Sequence, residues 1–247
     1  MASDIVSVIL PSCNRPDLVT RAVYSALSQT YPAIEVIVVV DGPSPPTLET
    51  LSRINDSRLR PIQLAGQSGG SKARNVGVQN AKGQWVAFLD DDDEWLPEKV
   101  ERQLGLAAKC NFEYPIVTCR LIGRTPGKDF IWPRRLPGPR EDVGDYLFVR
   151  RELFKGEAVI QTSTILTRKE LLLSIPFNEK LKKHQDTEWI IKASKDSRTS
   201  ISFVEEPLVI WNVESERSTV SGRINWHYTL DWLLDNKSRL SPRAFSS

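Results

Sequence analysis

Trp85-Val86-Ala87-Phe88-Leu89-Asp90-Asp91-Asp92-Asp93-Glu94-Trp95-Leu96-Pro97 sets a short apolar run directly against four consecutive aspartates. An unbroken apolar run of this length, stopped by charge, predicts a strand buried on both faces. Carboxylates crowded at its end repel one another, so they must stay near water or meet a cation. A divalent metal carrying a polyphosphate meets that demand, because hard cations bridge carboxylate and phosphate oxygens. Taken alone, the run also fits a solvated acidic loop.

Upstream, the pattern repeats strand, turn and helix. Ile5 to Leu10 predicts a buried strand, broken at Pro11-Ser12-Cys13-Asn14-Arg15-Pro16, with Pro16 suited to a helix start. Val19, Ala22, Val23, Ala26 and Leu27 recur at helical spacing, and Tyr31-Pro32 ends that helix. Ile34 to Val40 is nearly all apolar and β-branched, as strands of covered parallel sheets are. Asp41-Gly42-Pro43 stops it. A weaker strand over 59–64, a Gly-rich turn at 66–70, a helix over 71–82 and the strand 85–89 follow, and then a helix over 97–109. This alternation predicts an α/β, Rossmann-like doubly wound sheet. Ligands of such sheets bind beyond the carboxyl ends of the strands, where Pro11, Asp41 and Asp90 all stand.

Residues 111–247 are less regular. Strands are expected over 115–122 and 159–167, with short ones at 201–204 and 208–211. Helices are expected over 146–154 and 187–195. The Pro-, Gly- and Arg-rich stretch 123–144 reads as a long loop. A last helix carries Trp226, Leu230, Leu233 and Leu234 on one face.

The chain has 247 residues, 40% hydrophobic and 26% charged, with a formal net charge of +2. That length and composition suffice for a sizeable core. The near balance of charge argues against a nucleic-acid binder. Three scattered cysteines and two histidines show no disulfide or zinc spacing, and a reducing cytoplasm is expected. No leader pattern and no stretch of about 20 apolar residues is present.

Pro11-Ser12-Cys13-Asn14-Arg15 after a strand, Val40-Asp41-Gly42, Ala73-Arg74-Asn75-Val76-Gly77 and Phe88-Leu89-Asp90-Asp91-Asp92-Asp93-Glu94-Trp95 occur in that order. As an ordered set they resemble the nucleotide-sugar-binding half of family-two glycosyltransferases, which have the GT-A fold. The resemblance is strong over about residues 5–100 and continues weakly through Gln185-Asp186-Thr187-Glu188-Trp189. It implies a single GT-A domain with a mixed sheet. Residues 1–110 form the donor half, and 111–247 the subdomain for acceptor and catalytic base.

Carried over, Asp92 is the ligand of a manganese or magnesium ion, with Asp90 as a further ligand. Asp90 and Asp91 serve the ribose and support the metal. Asp93 is structural. Asp41 contacts the uridine, although a turn-opening Asp before Gly-Pro is also common. Pro11 and Ser12 shape the floor under the base. Arg74 reaches the base or the diphosphate, or else is a helix-surface arginine.

The family's base is an acid in a Glu-Asp pair. Here the pair reads Gln185-Asp186, so Asp186 is the candidate base. Capping of its helix is the alternative. Trp189 and Trp132 are the candidates to stack on an acceptor sugar, against ordinary core packing. Glu214 stands where many relatives have a histidine.

The implied activity is inverting transfer from a nucleotide-diphosphate sugar, a UDP-sugar, to a glycan, lipid-linked or other hydroxyl acceptor. The alternatives are a non-catalytic nucleotide-sugar binder and a sugar-1-phosphate nucleotidylyltransferase. The latter opens with a Gly-rich phosphate loop, and Pro11-Ser12-Cys13-Asn14 has no glycine. Basic clusters at Arg134-Arg135, Arg150-Arg151 and Lys180, Lys182, Lys183, together with the last helix, suggest peripheral contact with the inner face of a membrane.

Overall fold

The computed structural model describes residues 4–138, 141–152, 156–213 and 226–247. Glu214 lies outside the described residues.

The first half follows the predicted alternation. Strand β1 (Val6–Ser12) leads to α1 (Pro16–Leu27), then β2 (Ile34–Val40), α2 (Pro45–Ser52), β3 (Leu59–Gln63), α3 (Gly70–Asn80) and β4 (Trp85–Phe88). β1, β2 and β4 are buried at every residue. β3 lies on the sheet edge, which explains how it tolerates Pro61. Alternate residues of β2 face opposite ways. Val36, Val38 and Val40 pack in the cluster that contains α1, while Ile37 and Val39 pack in the cluster that contains α3. Both sheet faces are thus covered, the condition that makes apolar parallel strands stable.

Helix α2 was not foreseen. Its Pro45-Pro46 start reads as a turn, but proline is tolerated in a first helical turn, where the N–H groups lack partners anyway.

After the acidic run come β5 (Glu94–Trp95), α4 (Lys99–Ala107), β6 (Tyr114–Thr125), β7 (Lys128–Trp132) and α5 (Val143–Phe148). A 3₁₀ turn at Thr162–Thr164, β8 (Leu166–Arg168), α6 (Lys169–Ser174), α7 (Gln185–Ala193), β9 (Thr199–Asn212), α8 (Trp226–Asp235) and α9 (Pro242–Phe245) complete the chain.

Several expectations need correction here. The stretch read as loop from 123 begins as a hairpin of β6 and β7, because Gly127 at φ 103° turns the chain between them. The helix expected over 146–154 is α5, capped earlier by Asp142, whose side chain accepts from the Gly144 and Asp145 N–H groups. The strand expected over 159–167 is mostly the polar 3₁₀ turn, and only its end pairs as β8. The two short strands near 201–211 are one, β9, carried past Pro207 by a register shift opposite Arg120.

Among the described residues the strands form one nine-stranded sheet, in the order β3-β2-β1-β4-β8-β6-β9-β5, with β7 on β6. β1 to β4 pair in parallel, and β8 runs antiparallel to both β4 and β6. The sheet is therefore mixed, and it runs on past residue 110 without a break. α3 sits close against β1 and β2: a Cβ on Gly77 would stand 2.3 Å from Ile9 Cγ2. That closeness sets the height of Arg74 over the strand ends.

Candidate active site at the carboxyl ends of the parallel strands

The acidic run leaves β4 between β1 and the 161–164 turn, and its four carboxylates separate by environment. Asp91 turns inward and is 5% exposed. Its carboxylate accepts from Ser12 Oγ at 2.8 Å and from Arg15 Nη1 at 3.0 Å. Burial pushes its pKa up to about 6; Arg15 and Ser12 pull against that, and Asp92 and Asp90 add to it.

Asp93 is fully buried. One carboxylate oxygen accepts from Gln161 Nε2 and Ser163 Oγ, each at 2.6 Å, while Oδ1 has no partner among the described residues. Burial without a cation raises its pKa well above the usual range, reinforced by Asp90 and Asp92.

Asp90 and Asp92 stay at the rim, with side chains 25% and 29% exposed. Each meets a guanidinium. Arg74 Nη2 donates to Asp90 at 2.5 Å, and Arg15 Nη1 lies 3.2 Å from Asp92. Arg21 also donates to the Asp92 carbonyl at 3.1 Å and pairs with Glu94. The strand end is thus a focus of negative charge that draws cations.

The donor set fits a hard divalent ion. Asp90 and Asp92 would supply carboxylate oxygens. Among the described residues no group of three or more His, Cys, Asp or Glu is placed to hold a metal ion by itself. Phosphate oxygens and water would supply the remaining ligands, as is usual for magnesium.

Asp41 ends β2, 8% exposed, and its two oxygens accept from the backbone N–H groups of Ser68 and Gly69 at 2.7 and 2.8 Å. It therefore fixes the turn that launches α3. Pro11 pairs with Val39 inside the sheet, and the Ser12 hydroxyl is committed to Asp91.

From the far side, α7 brings Gln185 and Asp186. His184 just before it adopts φ 64° and ψ 21°, left-handed values that swing the helix start toward the rim. Asp186 accepts from Thr187 N–H at 2.8 Å and from Thr162 Oγ1 at 3.3 Å. Desolvation raises its pKa, against the backbone hydrogen bond and Arg74, which favour the anion. Arg74 Nη1 donates to Gln185 Oε1 at 2.8 Å, so one guanidinium ties the acidic rim to α7.

Trp189 is not available to a sugar. It is 1% exposed, stacks on Phe177 at 5.5 Å, and donates its indole N–H to the Ile175 carbonyl. One helical turn beyond Asp186 the helix has already entered the core, where a large aromatic gains most. Trp132 is half-buried in an aromatic group: Phe130 stacks on it at 5.8 Å and Trp211 meets it edge-on at 5.7 Å. The next residue, Asn212, donates to the Asp92 carbonyl at 2.8 Å, which puts this group beside the rim.

Residue reading missed Arg15, Gln161, Thr162, Ser163 and Asn212 as parts of the site. One signal was present: Gln161-Thr162-Ser163-Thr164 is a polar run inside an apolar stretch, and all four are buried. Buried polar side chains need partners, and these serve the acidic run and Asp186. A concavity of about 550 Å³ lies elsewhere, between α4 and β9, and its Glu98, Glu101, Glu205 and Glu206 would repel an anionic donor.

The glycosyltransferase WfaP of Escherichia coli, named for UDP-Glc and a diphosphoundecaprenol acceptor, is 39% identical over 101 residues, or 41% of this chain and 40% of WfaP. WfgD of the same organism, similarly named, is 31% identical over 134 residues, 53% of each chain. The matched segments thus span about half or less of these relatives. The amylovoran biosynthesis glycosyltransferase AmsB of Erwinia amylovora is 26% identical over 245 residues, 96% of this chain and 79% of AmsB. The fold matches S. aureus TarS 1-349 in complex with UDP-GlcNAc, with TM-score 0.69 and 21% identity over 97% of this chain and 68% of that one. The fold is thus GT-A. The model of glycosyl transferase family 2 matches residues 7–175, and the chain belongs to that family.

Proposed function

We infer that this chain transfers a sugar from a UDP-sugar to a hydroxyl of a lipid-linked or polysaccharide acceptor, with inversion at the anomeric carbon. The observation that carries this reading is the convergence of Asp90, Arg74, Gln185 and Asp186 at the carboxyl ends of the parallel strands. The UDP-sugar rests on the names of WfaP and WfgD and on the UDP-GlcNAc in complex with TarS.

Asp92 and Asp90 would hold a manganese or magnesium ion, which supplies Lewis-acid stabilisation of the departing diphosphate. Arg74 adds fixed positive charge beside the same group. Asp41 and Asp91 hold the loops that shape the donor site, and Pro11 and Ser12 form its floor. Asp186 accepts the proton of the acceptor hydroxyl as that oxygen attacks the anomeric carbon and the bond to the diphosphate breaks. Thr187 N–H and Thr162 Oγ1 aim its carboxylate and stabilise it as an anion. Trp132 and its aromatic neighbours offer a flat face for an acceptor ring.

Peripheral membrane contact belongs to the same reading. Among the described residues no helix is long and apolar enough to cross a membrane. α8 exposes Trp226, Leu230 and Leu234, by 67%, 42% and 52%, at four-residue spacing. Lys182, in the basic stretch 180–183, donates its backbone N–H to Tyr228 of α8.

Asp186→Asn tests the reading. With UDP-glucose and an undecaprenol-linked acceptor, D186N is expected to bind UDP like the wild type. UDP release is expected to fall about a hundredfold or more. Full turnover by D186N would refute the assignment.

A further inference from the structure

The Gln185 side chain has a defined task. Nε2 donates to the Leu181 carbonyl at 2.8 Å, which locks the amide orientation. Oε1 is thereby turned toward Arg74 Nη1, 2.8 Å away. The other terminal nitrogen of Arg74 is on Asp90. The Arg74 side chain is only 9% exposed and lies over the Phe177 ring, 5.7 Å from its centroid. A guanidinium this buried needs fixed partners to hold one orientation.

Gly70 makes room for the contact. A Cβ there would stand 3.0 Å from Arg74 Nη1 and 3.2 Å from Gln185 Oε1. Hydrogen bond, locked amide and missing side chain all serve the same pair.

We propose that Gln185 is a positioning residue for donor binding: an uncharged acceptor that fixes Arg74 against the rim and leaves its positive charge for the anionic diphosphate. This rests on reading the rim as a nucleotide-diphosphate site. In Q185E a further carboxylate would join Asp90, which pairs with the guanidinium, and Asp186, which feels its charge, so its attraction for another anion would be partly cancelled. With Gln185 that extra negative charge is absent.

The test is calorimetry of UDP in the presence of Mn²⁺ on the full chain. Gln185→Met keeps the side-chain length and removes the acceptor. It is expected to weaken UDP binding about tenfold, the scale of one hydrogen bond to a charged group. Gly70→Ala keeps the amide but crowds the pair, and is expected to weaken binding in the same direction. Gln185→Glu restores an acceptor, so it is expected to recover part of the affinity lost in Q185M. A merely structural residue would not give that partial rescue at unchanged thermal stability.

UDP binding by Q185M equal to the wild type overturns the positioning role. Tighter binding by Q185E than by the wild type overturns the charge argument. D186N is run in parallel. If D186N is inactive and binds UDP normally, a null result in Q185M overturns this inference alone. If the wild type itself binds no UDP, the donor-site reading falls, and this inference with it.

Discussion

Arg74 and Gln185, 111 positions apart in the chain, meet through a 2.8 Å hydrogen bond that joins the acidic rim to the helix carrying Asp186. The same arginine holds Asp90, so three elements share one guanidinium. Groups that act on one substrate need such a common reference, because small displacements of a reacting group cost large factors in rate. The 161–164 turn supplies a second one: Ser163 and Gln161 hold Asp93, and Thr162 reaches Asp186.

The height of Arg74 depends on Gly77. Gly77→Ala forces a methyl against Ile9 Cγ2, in a core with no slack. The variant is expected to lose about 1–3 kcal/mol in urea denaturation. Combining it with Ile9→Ala should restore part of the loss, a coupling that separate sites would not show. Strictly additive losses would mean that the contact is relieved in some other way.

His184 makes the C-terminal helix sensitive to acid. Its ring stacks on Trp232 at 4.6 Å and its Nε2 meets Thr229 Oγ1 at 3.0 Å, both on α8. Desolvation first, and then Lys183, lower its pKa to about 4. A histidine depressed in the fold contributes stability above its unfolded value of about 6.5, and that contribution is lost as pH falls toward 4. Tryptophan emission is expected to shift over that window as α8 loosens. Asn tolerates the left-handed backbone at this position, so His184→Asn should abolish the transition. An identical transition in H184N would assign it to another group.

The apolar stripe of α8 should bind a bilayer. Vesicles with anionic headgroups are expected to sediment the wild type. The triple change of Trp226, Leu230 and Leu234 to Ser should leave the protein in the supernatant with its UDP affinity intact. No sedimentation of the wild type would remove membrane contact from the account.

The first half of the chain was legible because its signals are local. β1, β2 and β4 are short apolar runs ended by Pro, Gly or Asp, and such runs have few other uses. α2 was not, because Pro45-Pro46 marks a turn as well as it marks a helix start. The order of the acidic run and Asp41 told where the rim lies, but not how each carboxylate is held. Asp91 and Asp93 sit next to Asp92 in sequence, yet they turn inward to Ser12, Arg15, Gln161 and Ser163. Those partners are up to 79 positions away, and no local pattern records them. Trp189 failed for the opposite reason: its spacing from Asp186 suggested a shared site, and helix geometry carried it into the core.

The most direct test of the central claim is calorimetric titration of UDP into the wild type and Asp92→Asn, with Mn²⁺ and with chelator. The wild type is expected to bind UDP far more tightly with the metal, and D92N to lose that dependence. Equal, metal-independent binding by both proteins would contradict it.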